Sequence, residues 1–282
     1  MTWTFTRDLD SFLATAEPAA ALHPAENTLV LTITAALRRH GPRFYGDGLP
    51  LFGWWRRADG TVNGWVVRTP PHPLQVGVVP AEAVPSLAHA IGEWGVTAVS
   101  AERSVADTLT ASWPDRAIAQ EQRLYRLAEL TPPSPCPAGR ARTATVADRA
   151  LLIEWHRAFA RDTGQSADRG ESAVDDRISY GGLALWEHGG VPVSMAGMTR
   201  PAAGTVRVAP VYTPPGLRGR GYAAAVTAHI SRAALDTGAA GVLLFTDIAN
   251  PTSNGVYRRV GYRPLAERVV VTRAARPAVT SA

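Results

Sequence analysis

From Val206 to Tyr262 the chain reads VRVAPVYTPPGLRGRGYAAAVTAHISRAALDTGAAGVLLFTDIANPTSNGVYRRVGY, and no other stretch constrains the fold as tightly. An apolar strand, Arg207 to Thr213, ends at Pro214-Pro215 and runs into a turn rich in Arg and Gly. That turn opens a helix from about Tyr222 to Asp236, with Ala223, Val226, Ile230 and Ala233 on one face and Gly238 as its stop. His229 lies near that face and reads as packing or surface. A buried-type strand follows, Gly241 to Thr246, and Asp247 to Pro251 leaves it. Pro251 suits the first position of a short helix capped by Asn250 and stopped by Gly261. Strand, turn, helix, strand and helix in this order call for a layered α/β domain.

The turn carries the first chemical signal. Arg218-Gly219-Arg220-Gly221-Tyr222-Ala223 has an Arg, two residues, Gly, one residue and Ala, directly after a strand. Gly219 and Gly221 let the backbone turn tightly and let a ligand approach without a Cβ in the way. The following helix aims its unpaired N–H groups and positive dipole end at the turn. Arg218 and Arg220 add forked donors suited to phosphate oxygens. Alone, such a turn reads equally as a basic surface loop. It lacks the extra glycine of a dinucleotide fingerprint, and a chain without lysine cannot carry a Walker-type loop. From Arg200 to Arg232 there are five Arg and no acid, which suits a ligand with separated phosphates. Asn250 alone reads as a helix cap, and Tyr257, beside the core-facing Val256 and Val260, as a packing aromatic. Their joint occurrence after the glycine turn points to a site.

These segments resemble the cofactor half of the GNAT acyltransferase superfamily, whose members move acyl groups from acyl-coenzyme A to amines. The resemblance is close over about 60 residues and extends more weakly back to about Arg140. It implies that Val211, Tyr212 and Thr213 occupy a splayed strand that pairs with the pantetheine arm, and that Arg218 to Ala223 form the pyrophosphate turn. It also implies that Asn250 bonds the pantetheine, with Ser253 as the small residue a half-turn on, and that Tyr257 is the acid that protonates the leaving thiolate. The implied activity is acetyl transfer from acetyl-coenzyme A, as cosubstrate and without a metal, to a primary amine. The acceptor is open: an amino acid, an aminoglycoside-like or other small amine, or a peptide N-terminus. A phenol with a pKa near ~10 is protonated at neutral pH and can supply the proton. The attacking amine needs a base or a water chain. Asp247 is the nearest carboxylate, read either as that base or as a structural bond to the turn; Glu154 and His156 lie on an earlier helix.

Upstream, Arg140 to Thr143 reads as a first strand, and Thr145 caps a helix over 146–161 in a capping box with Asp148. Gly182 to Glu187 and Val191 to Met198 flank His188-Gly189-Gly190 as a hairpin. Arg161 to Asp176 holds Asp162, Asp168, Glu171, Asp175 and Asp176, read as a solvated acidic segment or as a lure for a cationic amine. The proline-rich 131–139 breaks any helix or central strand and suggests a linker. Before it, Gly64 to Thr69 followed by Pro70-Pro71 echoes Ala209 to Thr213 followed by Pro214-Pro215. A helix (Ala81–Trp94), a strand starting at Gly95 and a helix (Arg103–Trp113) continue the echo. In that alignment Pro71-His72-Pro73-Leu74 replaces the glycine turn. The expected architecture is therefore α/β (α+β) with two GNAT-like domains, each a mixed, mostly antiparallel sheet flanked by helices. A degenerate domain at 1–130 lacks the cofactor motif, 131–139 links, 140–272 is catalytic and 273–282 is a flexible tail. Two unrelated α/β domains are the alternative.

Charge divides unevenly. Residues 1–135 carry 11 Arg and 13 acids, and residues 136–282 carry 18 Arg and 11 acids, so the basic surplus sits with the proposed cofactor half. That surplus leaves open an aminoacyl-tRNA donor, which would need a positive track beyond the turn. The first half does not supply one from its net charge, though Arg38-Arg39-Arg43 and Arg56-Arg57 could form a local patch. A non-catalytic coenzyme A sensor is a further alternative, which the intact Tyr257 disfavours. The single Cys136 excludes an internal disulfide, and no apolar run or signal-peptide layout is present, so a cytoplasmic monomer or homodimer is expected, without a membrane partner.

Overall fold

A computed structural model describes residues 1–164 and 170–273. They form two compact units, the first assembled from two separate stretches of sequence and the second from one. The first comprises 1–122 and the segment that starts at Ala266; the second is Arg123–Leu265.

The first half of the chain contributes β1 (Thr2–Thr6), α1 (Leu9–Ala20), α2 (Thr28–His40), β2 (Leu51–Arg56), β3 (Val62–Arg68) and β4 (Leu74–Val76). It continues with α3 (Val84–Glu93), β5 (Ala98–Glu102), α4 (Arg103–Leu109) and β6 (Arg116–Leu127). The second half repeats this order: β7 (Arg140–Thr143), α5 (Arg149–Asp162), α6 (Gly170–Ser179), β8 (Leu183–His188), β9 (Val191–Met198) and β10 (Thr205–Tyr212). Then come α7 (Tyr222–Asp236), β11 (Gly241–Asp247), α8 (Pro251–Val260) and β12 (Tyr262–Arg273). In each half the first four strands are antiparallel neighbours and the fifth runs parallel to the fourth.

The last strand of each half breaks this symmetry. In the first unit β5 pairs antiparallel with the end of β12, from Arg268 opposite Glu102 to Thr272 opposite Ala98. In the second, β11 has β6 as its outer neighbour. The division therefore falls at Gln122/Arg123, inside β6, and residues 131–139 belong to the second unit. The prolines there stop regular structure but leave carbonyls to accept bonds. Ala138 O accepts from Trp186 Nε1 at 3.2 Å, and Thr131 N–H donates to Val260 O at 2.9 Å. The tail beyond Arg273 lies outside the described residues.

The internal echo holds for its helix, strand and helix, but its first strand is placed one strand too early. Gly64 to Thr69 lies on and after β3, the third strand, and Pro71 to Leu74 connects β3 to β4. The segment between the fourth strand and its helix is instead Gly77 to Ala83. An apolar strand followed by Pro-Pro occurs at different places in the two halves, and that coincidence misled the alignment.

Alternation along the second unit's strands covers both sheet faces. Ala184 and Trp186 of β8 pack with Val226 and Ile230 of α7, while Leu183 and Leu185 pack with Leu152, Ile153 and Trp155 of α5. In the first unit Leu87 and Ile91 of α3 bury against Val66, Val76 and Val99. Each such side chain stabilises by roughly 1.5–3 kcal/mol on burial. At the β8–β9 hairpin Gly189 and Gly190 have φ of +59° and +80°, the sign a two-residue turn of primed type requires.

Candidate active site

The site begins with a bulge. Between Val208 and Val211 the register of β10 against β9 shifts, at Ala209-Pro210. Gly197 on β9 makes room: a Cβ there would lie 2.8 Å from Ala209 O. The bulge turns β10 away from β11, and their parallel ladder covers only Thr205 to Arg207, opposite Gly241 to Leu243. Val211, Tyr212 and Thr213 lie on the parted stretch. Ser194 holds it from behind, donating to Tyr212 O at 3.1 Å and lying 2.8 Å from Thr213 Oγ1. The Tyr212 ring packs against Trp155.

The glycine turn follows after one short helical turn at Pro215–Leu217. Gly219 and Gly221 have φ of +78° and +83°, where only glycine sits without strain. A Cβ on Gly219 would meet nothing within 4 Å, and one on Gly221 would meet only the Pro137 ring, from 3.7 Å. Gly221 caps α7 without a side-chain bond, so the first N–H groups of the helix have no intrahelical acceptor. Of the six turn residues Tyr222 points inward, buried beside His188. Arg218 is tied down: Nε donates to Thr213 O at 2.9 Å and Nη2 to Asp162 at 2.5 Å. Arg220 is exposed, with one long bond to Gly216 O.

The loop from β11 into α8 completes the arrangement. Asn250 caps α8, its Oδ1 accepting from Ser253 N–H at 2.9 Å. Asp247, exposed at the end of β11, accepts from Ala249 N–H at 2.8 Å, a bond to the turn that occupies one carboxylate oxygen. Asn254, buried one turn into the helix, was not singled out by sequence reasoning. Its Nδ2 donates to Asp247 O and Asn250 O, at 2.8 and 2.7 Å, and its Oδ1 accepts from the buried Tyr125 hydroxyl at 2.8 Å. An Asn inside a helix is a weak signal of such a bond to local carbonyls, since its side chain competes for backbone groups. Its partner on β6, 129 residues away, leaves no local trace.

Tyr257 lies on α8 with its ring edge against Tyr262, and Tyr262 Oη is 2.7 Å from Ser231 Oγ on α7. The Tyr257 hydroxyl makes no hydrogen bond among the described residues. Its apolar surroundings push the phenol up to about 12, so it stays protonated far above neutrality. Of the weaker candidates, Glu154 is exposed, and His156 packs against Gly170 with its imidazole pulled to about 4 by burial and, secondarily, by Arg177. The acidic segment does not offer a field of open carboxylates. Asp175 and Glu171 pair with Arg149, Glu171 also with Arg157, Asp176 with Arg200 and Asp162 with Arg218; Asp168 lies outside the described residues.

The parted strands, the glycine cradle open at Gly219 and the helix N-terminus together fit a group with an extended arm and a diphosphate. Among the described residues no cluster of His, Cys, Asp and Glu suited to a metal ion occurs, and no helix is long and apolar enough to cross a membrane.

Comparison with known proteins agrees with this geometry. Residues 149–262 match the acetyltransferase (GNAT) family, and the chain thus carries a GNAT-family domain in its second half. A GCN5-related N-acetyltransferase from Sphaerobacter thermophilus superposes with a TM-score of 0.68 at 18% identity, covering 98% of this chain and 97% of that one. A tandem GNAT protein from the clavulanic acid biosynthesis pathway gives 0.59 at 13%, covering 98% and 100%. A GCN5-related N-acetyltransferase from Kribbella flavida gives 0.57 at 20%, covering 93% and 97%. At these identities the likeness is one of fold, and it extends over both halves. No curated protein matches the sequence.

Proposed function

We propose that the second unit is an N-acetyltransferase that uses acetyl-coenzyme A and a primary amine. The observation that carries this reading is the early end of the β10–β11 ladder at Arg207, with the glycine turn after one strand and the unpartnered Tyr257 hydroxyl on the helix after the other. Bound acetyl-coenzyme A supplies the thioester. The amides at the start of α7 and the exposed Arg220 suit its diphosphate. The backbone of Val211 to Thr213 suits the pantetheine arm, and a strand N–H there polarises the carbonyl as the amine attacks, a kind of contact worth roughly 3–4 kcal/mol when one such donor is lost elsewhere. Tyr257 holds the proton that the leaving sulfur needs. Burial that raises the phenol also raises a thiol beside it, so the shift does not by itself weaken the phenol as an acid toward that thiolate. With Asp247 bonded to Ala249, a water chain is the better reading for removing the amine's proton.

The test is coenzyme A release from acetyl-coenzyme A over a panel of amines, with a parallel arm supplying charged tRNA with and without RNase. Release with an amine and no RNA supports the reading. RNase-sensitive transfer alone would point to an aminoacyl-tRNA donor, and tight coenzyme A binding without turnover on any amine would point to a sensor.

A further inference from the structure

The first unit carries a cleft that the proposed reaction does not use. It measures about 380 Å³ and is lined by Arg7, Leu49, Leu51, Arg68, Pro70 and Trp94. Topology places it. β1 and β3 run the same way, β4 the opposite way, and α3 starts beyond the end of β4. Arg7 just after β1, Leu49 and Leu51 at the start of β2, Arg68 at the end of β3 and Trp94 after α3 therefore gather at one end of the sheet. The junction of β4 with α3, the counterpart of the glycine turn, is at the other end. The cleft is thus not the relic of a cofactor site.

Its chemistry is specific. Four of the six lining residues are apolar or aromatic, and the two polar ones are both cations. Arg7 makes no hydrogen bond or ion pair among the described residues, and Arg68 makes one bond, Nη1 to Trp94 O at 2.9 Å, and no ion pair. The carboxylate next to Arg7 in sequence is engaged elsewhere: Asp8 Oδ1 accepts from the N–H groups of Asp10 and Ser11 at the start of α1. The bond from Arg68 covers the carbonyl at the negative end of α3, which would otherwise repel an anion, and leaves Nη2 and Nε available. Two arginines without acidic partners among the described residues are notable in a half where acids outnumber arginines. A volume within the roughly 300–1,000 Å³ of small-molecule pockets, mostly apolar walls and two lining arginines give the cleft the make-up of a ligand site.

We propose that this cleft binds a small carboxylic acid with an aromatic body, its carboxylate between Arg7 and Arg68 and its ring against Trp94, Leu49 and Pro70. The site is independent of acetyl transfer in the second unit.

Titration calorimetry on the full chain with 2-naphthoate as probe, and with the uncharged 2-naphthalenemethanol as its control, tests this. Naphthoate is expected to bind once per chain, at least about tenfold tighter than the alcohol, the scale of one charge-assisted contact. Arg7→Ala, at a residue without internal bonds, should weaken naphthoate about tenfold and leave the alcohol unchanged. Arg68→Gln should do the same, and circular dichroism checks that α3 survives the loss of its cap. Saturating coenzyme A should not displace the probe. Absence of naphthoate binding, equal binding of the alcohol, an unchanged affinity in Arg7→Ala, or displacement by coenzyme A would each overturn the assignment.

Discussion

The two halves of this chain run through the same elements in the same order, yet they treat the gap between the fourth and fifth strands in opposite ways. In the second unit, a bulge at Ala209-Pro210 parts β10 from β11 after three paired residues, and two left-handed glycines follow. In the first, the same place is closed from within. The β4–β5 pairing ends at Gln75 opposite Ser100, and there the buried Arg268 guanidinium donates through Nη2 to Val76 O and Ser100 O, both at 2.8 Å. Burial pulls Arg268 to about 10, with Glu102 opposing, so it still carries its charge at neutral pH. Asn27 closes the other side: its Oδ1 accepts from Val78 N–H at 2.9 Å and from Trp65 Nε1 at 2.6 Å, and a Cβ on Gly77 would collide with the Trp65 indole. The lesson is that one topology can either part its strands at this junction or satisfy the backbone there from within.

The comparison is most open to attack at Tyr257. Tyr257→Phe keeps the ring against Tyr262 and removes only the donor, so turnover should fall roughly 10²–10⁴-fold while coenzyme A affinity holds. Full turnover in steady-state assays would mean solvent protonates the sulfur; lost affinity would mean the residue is structural. Gly221→Asp puts a carboxylate and a Cβ at a φ of +83°, and calorimetry should find coenzyme A binding abolished. Gly221→Ala carries the same strain, about 1–2 kcal/mol, without the charge, and should retain measurable binding. If both variants bind alike, the turn is not where the phosphates lie.

The third test targets the closed gap. Arg268→Met leaves two buried carbonyls without a donor, at roughly 1–3 kcal/mol each, and should lower the denaturation midpoint without adding a second coenzyme A per chain. A second binding event would mean that Arg268 alone keeps the first unit empty. The smallest effect is expected at Asp148, whose carboxyl Arg142 holds down near 2 from 3.8, with burial opposing. A depressed acid contributes stability above its unfolded pKa and loses it as the pH falls through the folded one. Asp148→Asn should therefore cost up to about 2 kcal/mol at neutral pH, and its melting curve should converge with the parent's as the pH drops from about 4 to about 2. A gap that stays constant over that range would assign the loss to packing.

What could be read from the sequence was local. The glycine turn, the Asn250–Pro251 start and Gly261 stop of α8, the Thr145–Asp148 capping box and the Gly189-Gly190 hairpin all appear where residue chemistry places them. What could not be read depends on partners far along the chain: Asn27 on Val78, Tyr125 on Asn254, Arg268 on Val76. In the first half one strand was assigned a place too early for the same reason, since Pro70-Pro71 imitates Pro214-Pro215 and only strand pairing separates them. The charge of Arg218 was visible, but not its use in fixing Thr213 and Asp162.

The exchange of last strands bears on how the protein is made. A ribosome delivers residues 1–122 early, but β5 has no outer neighbour until the stretch around Arg268 emerges. At about 5–20 residues per second that is a wait of roughly 7–30 s. Throughout it the nascent first half exposes an open sheet edge and a strand junction without its cation, the kind of surface that recruits wrong partners. The part synthesised first is thus the part completed last, and loss of the chain's end would leave unfinished the half that was built earliest.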